Sequence, residues 1–308
     1  MIAVLSGGVG AARFLMGLVQ VVPAHEVTAI ANVGDDLELH GLHISPDLDT
    51  LVYTLADAVN ADTGWGLRDE SWQAMELVAR YGGVDWFRLG DRDLGTHLYR
   101  TQRLAEGATL AEVTASIVSS WGLGLRILPV TNQRLRTMVT LVDDGEVGFQ
   151  EYFVQRRHSV PVASLRFDGA VAAAPAPDVL DSIEEAEVVV IAPSNPLVSI
   201  EPVLAVPGVR DAVRAKRSRC VAISPIVAGA AVKGPADRLL TELGHEASVV
   251  GVARLYAPLA ATLVIDHADA DLAAAVEAEG MGCVVTATVM SRAAEAAALA
   301  RVVLKVMR

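Results

Sequence analysis

Cysteine is nearly missing from this 308-residue chain, with only Cys220 and Cys283, far apart and each among apolar neighbours. That count and spacing exclude a disulfide framework and a zinc cluster, and both thiols read as inert core groups. Long apolar runs are missing too. Hydrophobic residues make up 52% of the chain, yet no uninterrupted stretch approaches the roughly 20 residues a membrane span needs. A soluble protein without a membrane partner is expected. The start, Met1-Ile2-Ala3-Val4, leaves no room for a signal peptide ahead of the first apolar run, so the cytoplasm is the expected location. Lysine is confined to Lys216, Lys233 and Lys305, which reads as composition bias. The net charge of −12 argues against a nucleic-acid partner, since neutralising phosphates takes clustered cations. A small anionic ligand must then be met locally, by metal ions, backbone N–H groups and a few arginines. None of the seven histidines has His-x-x-x-His spacing, and His40, His43 and His97 read as polar positions near the candidate site without a zinc role.

What is present begins at residue 2. Ile2 to Leu5 reads as a buried strand that ends abruptly at Gly7, Gly8 and Gly10, and Ala11 to Leu18 has helical character. Glycines let the backbone approach a ligand, and unpaired N–H groups at a helix start favour an anion, here the diphosphate of a nucleotide. A merely tight strand-to-helix turn is the other reading. Arg13 stands where a dinucleotide fingerprint would have its third glycine, and the Gly-Lys-Ser/Thr ending of a P-loop is missing.

The length suits one large α/β domain with an insertion, or two domains sharing a cleft. Glu26 to Ala31 reads as a second strand, with Asn32-Val33-Gly34-Asp35-Asp36 as the loop at its carboxyl end, where ligands bind in open α/β sheets. Leu51–Val59, Glu70–Ala79, Asp93–Ala105 and Leu110–Ser119 show helical spacing, predicting a helical insertion over 51–120. Thr137–Val142 and Glu146–Phe149 alternate around Asp143-Asp144-Gly145 as a hairpin. Glu187–Ala192, Arg219–Ile223, Val249–Val252, Thr262–Ile265 and Cys283–Thr286 are short β-branched runs separated by helical segments, which predicts a parallel sheet. Ala170 to Asp178 reads as a surface loop.

Three further segments carry polar chemistry. In His43-Ile-Ser-Pro-Asp47-Leu-Asp49-Thr50 two carboxylates precede a helix; each is a candidate helix cap. Each is equally a candidate Mg²⁺ ligand, because hard cations take carboxylate oxygens together with substrate phosphates. Asp35 and Asp36 tip the balance toward metal, since four bare carboxylates would repel one another. In Pro193-Ser194-Asn195-Pro196 a strand runs into a loop offering donors to a phosphate or base, or simply a rigid turn. Lys233, in a later strand-end loop, is a candidate phosphate partner. Trp86-Phe87-Arg88-Leu89-Gly90-Asp91-Arg92-Asp93 offers either a stacking site for a flat ligand or a solvated helix start.

Taken in order, Leu5-Ser-Gly-Gly-Val-Gly-Ala-Ala-Arg13, Asn32-Val-Gly-Asp-Asp36, the 43–50 and 86–93 segments and Pro193-Ser-Asn-Pro-Leu-Val-Ser-Ile200 resemble the 2-phospho-L-lactate transferase family of deazaflavin coenzyme biosynthesis. The resemblance implies an α/β, Rossmann-like, mostly parallel sheet with helices on both faces. Residues 1–50 and 121–308 would form this core, and the helical insertion 51–120 would form part of the active-site cleft. It implies a Mg²⁺-dependent transfer of a phospholactate or phosphoenolpyruvate group from a guanosine-diphosphate-activated donor to the ribityl hydroxyl of the deazaflavin FO, with release of GMP. Asp49 and Arg88 would contact FO, with Trp86 stacking beside it. Asp47, Asp49 and Asp35 would lie near the metal, and Asp47 or Asp49 would orient the hydroxyl and take its proton. Gly7, Gly8 and Gly10 would face the diphosphate, while Ser194, Asn195 and Lys233 would face the nucleotide; Asn32 completes the expected substrate-binding set. The apolar insertion helices are candidates for a homodimer contact.

Two other readings stand beside this one. A nucleotide-sugar-binding regulatory protein would share the glycine loop and strand-end asparagine without needing the aromatic insertion loop. A nicotinamide oxidoreductase is disfavoured by the incomplete fingerprint and by Asn32 where an acidic residue would close the second strand.

Overall fold

The structure, a computed structural model, describes residues 1–60 and 64–306, so residues 61–63 of the expected insertion lie outside the described residues. Seven strands form one sheet: β1 (Ile2–Ser6), β2 (Val27–Ala31), β3 (Arg126–Pro129), β4 (Val188–Ile191), β5 (Cys220–Ile223), β6 (Thr262–Ile265) and β7 (Gly282–Val285). Their order is β7-β6-β5-β4-β1-β2-β3 and every pairing is parallel. This is the doubly wound Rossmann order extended by one strand, and it puts the topological switch point between β1 and β4. β1, β2, β4, β5 and β6 are buried at every position, which is why they read as continuous apolar runs.

Helices surround the sheet. Helix α1 (Gly8–Leu18) follows β1 directly and packs on the C-terminal helix Ala293–Val306, where a β-carbon on Gly17 would overlap the Ala296 backbone. Between β2 and β3 come α2 (Pro46–Leu55), α3 (Gln73–Arg80), α4 (Asp93–Ala105) and α5 (Leu110–Ser120). The capping box of Thr109 and Glu112 starts α5, a device legible in the sequence as Thr-x-x-Glu.

The structure corrects two expectations and adds a strand. Val249–Val252 is the first half of a helix, Val249–Tyr256. Four apolar residues carry too little period to separate strand from helix, and the Ser248 hydroxyl, accepting from the N–H groups of Val250 and Gly251, starts the helix there. β3 escaped notice because it holds Arg126 and Pro129; proline is tolerated on it since it is the edge strand. The 170–178 segment is partly internal, with Ala170, Ala173 and Ala176 buried and Pro175 bridged to Thr131. The expected hairpin is present as Arg136–Leu141 and Gly145–Gly148, and gains an antiparallel third strand, Val162–Asp168. Cys220 is fully buried and burial pushes its thiol up, whereas Cys283 is half-buried. Among the described residues no helix is long and apolar enough to cross a membrane.

Candidate active site

A cleft of about 670 Å³ opens at the carboxyl ends of β1 and β4, lined by Gly7, Gly8, Gly10, Asp35, Asp47, Asp49, Trp86, Arg88, Ser194, Asn195 and Lys233 among others. The glycines are there because the loops touch. A β-carbon on Gly7 would lie 2.7 Å from Ser199 Cβ and 2.8 Å from Asp47 Oδ2, one on Gly10 would overlap the Pro193 carbonyl, and Gly8 has φ +67°. A side chain at Gly7 or Gly10 would push the β1 loop off the β4 loop, and one at Gly8 would be strained by its backbone conformation.

Asp47 is tied to that loop. Its Oδ1 accepts from the Gly8 N–H at 2.8 Å and its Oδ2 from Asn32 Nδ2 at 2.9 Å. Asn32 also donates to Asp35 at 3.1 Å, and Gln150 donates to the other Asp35 oxygen at 3.1 Å. Asn32 is 1% exposed, so it stands behind the cleft as the brace between two carboxylates. Asp36 lies a layer further back, accepting from Ser45 and His43 and leaving its buried Oδ1 without a hydrogen bond. Burial pushes the Asp35 carboxyl well above the usual range, reinforced by Asp47 and Asp36. Burial likewise raises Asp47 to about 6, against the hydrogen bonds from Asn32 and Gly8. Two like-charged carboxylates facing one cleft, held apart by one amide, fit a divalent cation.

Asp47 and Asp49 sit inside the first turn of α2, so neither caps it; Ser45 occupies the cap position with its hydroxyl turned to Asp36. Asp49 has different company from Asp47. Both its oxygens are taken by the Arg100 guanidinium, one at 3.2 Å and the other closer. His97 lies between two carboxylates, with Nδ1 3.7 Å from Asp49 and Nε2 3.4 Å from Asp93, and Tyr53 donates to Asp93 at 2.6 Å. Burial raises the Asp49 carboxyl, with Arg100 and His97 opposing. Asp93 is also pushed up by burial, yet His97 and Tyr53 hold it below the usual range. The ligand atoms of Asp49, Asp93 and His97 lie within 4.8 Å of one another, but Arg100 already answers the Asp49 charge and hard cations prefer all-oxygen sites. Of the three expected metal ligands, Asp35 and Asp47 stand together and Asp49 stands with Arg100.

The other expected residues divide. The Ser194 hydroxyl donates to the Gly7 carbonyl at 2.7 Å, and the Asn195 side chain accepts from Leu197 and Val198 N–H, so both hold the loop. Lys233 lines the cleft and burial lowers its ammonium, reinforced by the nearby Arg13 charge. Arg13, held by the Met290 carbonyl at 3.1 Å, lines the same cleft. Trp86 packs edge-to-face on Phe87 and Arg88 lies 4.5 Å over the Trp72 ring.

Sequence reading missed Arg100, Asp93, Tyr53 and Gln150 as partners and left His97 without a role. One signal was there: Asp93, His97 and Arg100 stand at i, i+4 and i+7, a polar stripe on one face of α4.

Fold and site define a Rossmann-like α/β protein whose glycine loop and acidic cluster share one cleft at the switch point. The family model described as 2-phospho-L-lactate transferase CofD matches residues 2–300, and the chain belongs to that family; it is a transferase. Its relatives include proteins named phosphoenolpyruvate transferase from Streptomyces griseus, 45% identical over 97% of this chain and 96% of that one, and from Kitasatospora aureofaciens, 44% identical over 98% and 96%. Two crystal structures of a UPF0052-family protein from Bacillus halodurans share the fold at TM-scores of 0.64 and 0.63, with 16% identity over 98% of both chains.

Proposed function

We propose that this transferase moves a phosphoenolpyruvate group from a guanosine-diphosphate-activated donor to the ribityl hydroxyl of the deazaflavin FO, in deazaflavin coenzyme biosynthesis. The observation that carries the reading is the meeting of the glycine loop with Asp47 and Asp35 in one cleft. The names of the relatives favour enolpyruvate over lactate. The hydroxyl oxygen attacks the distal phosphorus, the bridging P–O bond breaks, and GMP leaves with its electron pair. Asp47 suits the proton acceptor better than Asp49, because its partners Gly8 and Asn32 are neutral donors whereas the Arg100 guanidinium opposes protonation of Asp49. Asp49 with Arg100 instead gives the acceptor a fixed carboxylate edge. Arg13 and Lys233 meet the diphosphate charge, and the 86–93 loop covers the acceptor. Asp35 and Asp47 would hold Mg²⁺, which supplies further charge neutralisation when bound.

The test is incubation of the protein with FO, Mg²⁺ and either the enolpyruvyl or the lactyl donor, following GMP release and product mass against a metal-free control. Metal-dependent product from the enolpyruvyl donor is expected. No product from either donor would sink the reading.

A further inference from the structure

The cleft has a second wall of different chemistry. Phe149, Phe153 and His158 all line it and form one column. The Phe149 and Phe153 centroids are 5.5 Å apart with planes at 16°, and Phe153 and His158 are 5.3 Å apart at 24°. Nothing in the sequence marked these residues, because the column is assembled by irregular backbone. Glu151–Gln155 is a π-helical turn, a form that is rare and concentrated at functional sites. Arg157 and His158 follow with φ of 50° and 41°, a region costly for such side chains and kept only where the surroundings enforce it.

The surroundings do enforce it. Arg238 donates to the hydroxyl of the fully buried Tyr152 at 2.7 Å and to the Val160 carbonyl at 3.2 Å. Arg238 is paired in turn with Glu242, which also accepts from the Val162 N–H at 2.9 Å. Tyr152 is thus fixed in the core while its neighbour Phe153 stays half-buried at the cleft. Burial and the Arg238 charge keep the His158 ring below its ordinary range, so it is neutral at neutral pH. The column starts beside the acidic cluster, since Gln150, next to Phe149, bonds Asp35.

We propose that the Phe149–Phe153–His158 column is a stacking platform for a planar heteroaromatic ring of one substrate. Near-parallel neutral rings at the wall of a cleft are the arrangement on which proteins stack bases and similar rings. The inference rests on the transferase reading, in which two such rings enter the cleft, the purine of the donor and the deazaflavin of the acceptor.

The experiment measures the affinity of GMP by calorimetry and of FO by fluorescence titration, for the wild-type protein, Phe153→Leu and Phe153→Tyr. Phe153 is the middle ring, on which both Phe149 and His158 are stacked; leucine keeps its apolar bulk but removes the ring that aligns the other two, whereas tyrosine keeps it. Phe153→Leu is expected to bind one of the two rings about 5- to 150-fold more weakly with the other unchanged, and Phe153→Tyr to bind both as wild type does. Which probe is lost names the ring. Unaltered affinity for both in Phe153→Leu, or equal loss of both, overturns the platform while leaving the transferase reading in place. A wild-type protein that binds neither probe overturns that reading, and the platform with it.

Discussion

Asp47 and Asp49 are two residues apart on one helical turn, yet their partners separate their roles. Asp47 faces backbone and amide donors from the β1 and β2 loops, whereas Asp49 faces a guanidinium that is 1% exposed. A buried ion pair is costly to break because the survivor is left as a desolvated charge. Arg100→Met is therefore expected to lose about 3–5 kcal/mol of stability, read by urea denaturation, and Asp49→Asn to lose stability as well as turnover. The double variant Asp49→Leu/Arg100→Met should regain most of the stability and none of the turnover; if it stays as unstable as the singles, the pair is not the coupled unit described. The two carboxylates were legible as a pair, because a strand-end loop and a helix start concentrate such groups. Their division of labour was not, since Arg100 lies 51 residues further on.

At the scale of elements, the aromatic loop is set by a lattice of acidic side chains. Glu70 accepts from the N–H groups of Arg92 and Asp93 at 2.8 and 2.9 Å, and Asp91 accepts from the Ser71 hydroxyl and the N–H groups of Gln73 and Ala74. Asp91 thus caps α3 from outside and fixes the loop against it. Asp91→Ala is expected to raise the KM for FO severalfold and to cost about 0.5–2 kcal/mol, the usual range for a lost cap, with GMP affinity unchanged. Titrations of both ligands check this, and an unchanged KM for FO would detach the loop from the acceptor. The elements themselves were readable where a period ran long enough, as in Asp93–Ala105. They were unreadable where four residues had to decide between strand and helix, as at Val249.

At the scale of the whole molecule, the doubly wound order brings the ends of β1, β2 and β4 together and buries Asp35 and Asp47 at their meeting point. Both carboxyls are raised, Asp47 to about 6, so the fold prefers their neutral forms. The contribution of Asp47 to stability is full below the ordinary carboxyl range near pH 4 and is lost as the pH rises through about 6, and the raised Asp35 carboxyl acts in the same direction. A divalent cation reverses the preference, because ligation requires the ionised form. Mg²⁺ is therefore expected to raise Tm more at pH 7.5 than at pH 5; equal shifts in scanning calorimetry at both values would place the cation elsewhere. The sequence by itself determined the alternating α/β core, the glycine turn after β1 and the carboxylates of the 32–49 stretch, because buried periodicity, backbone freedom and charge are local properties. Only the tertiary structure decided that Arg100 closes on Asp49, that Asn195 and Ser194 brace a loop, and that Phe149, Phe153 and His158 form a column. Those outcomes depend on contacts between residues distant in the chain and on a strained turn held by Arg238, none of which leaves a period to read.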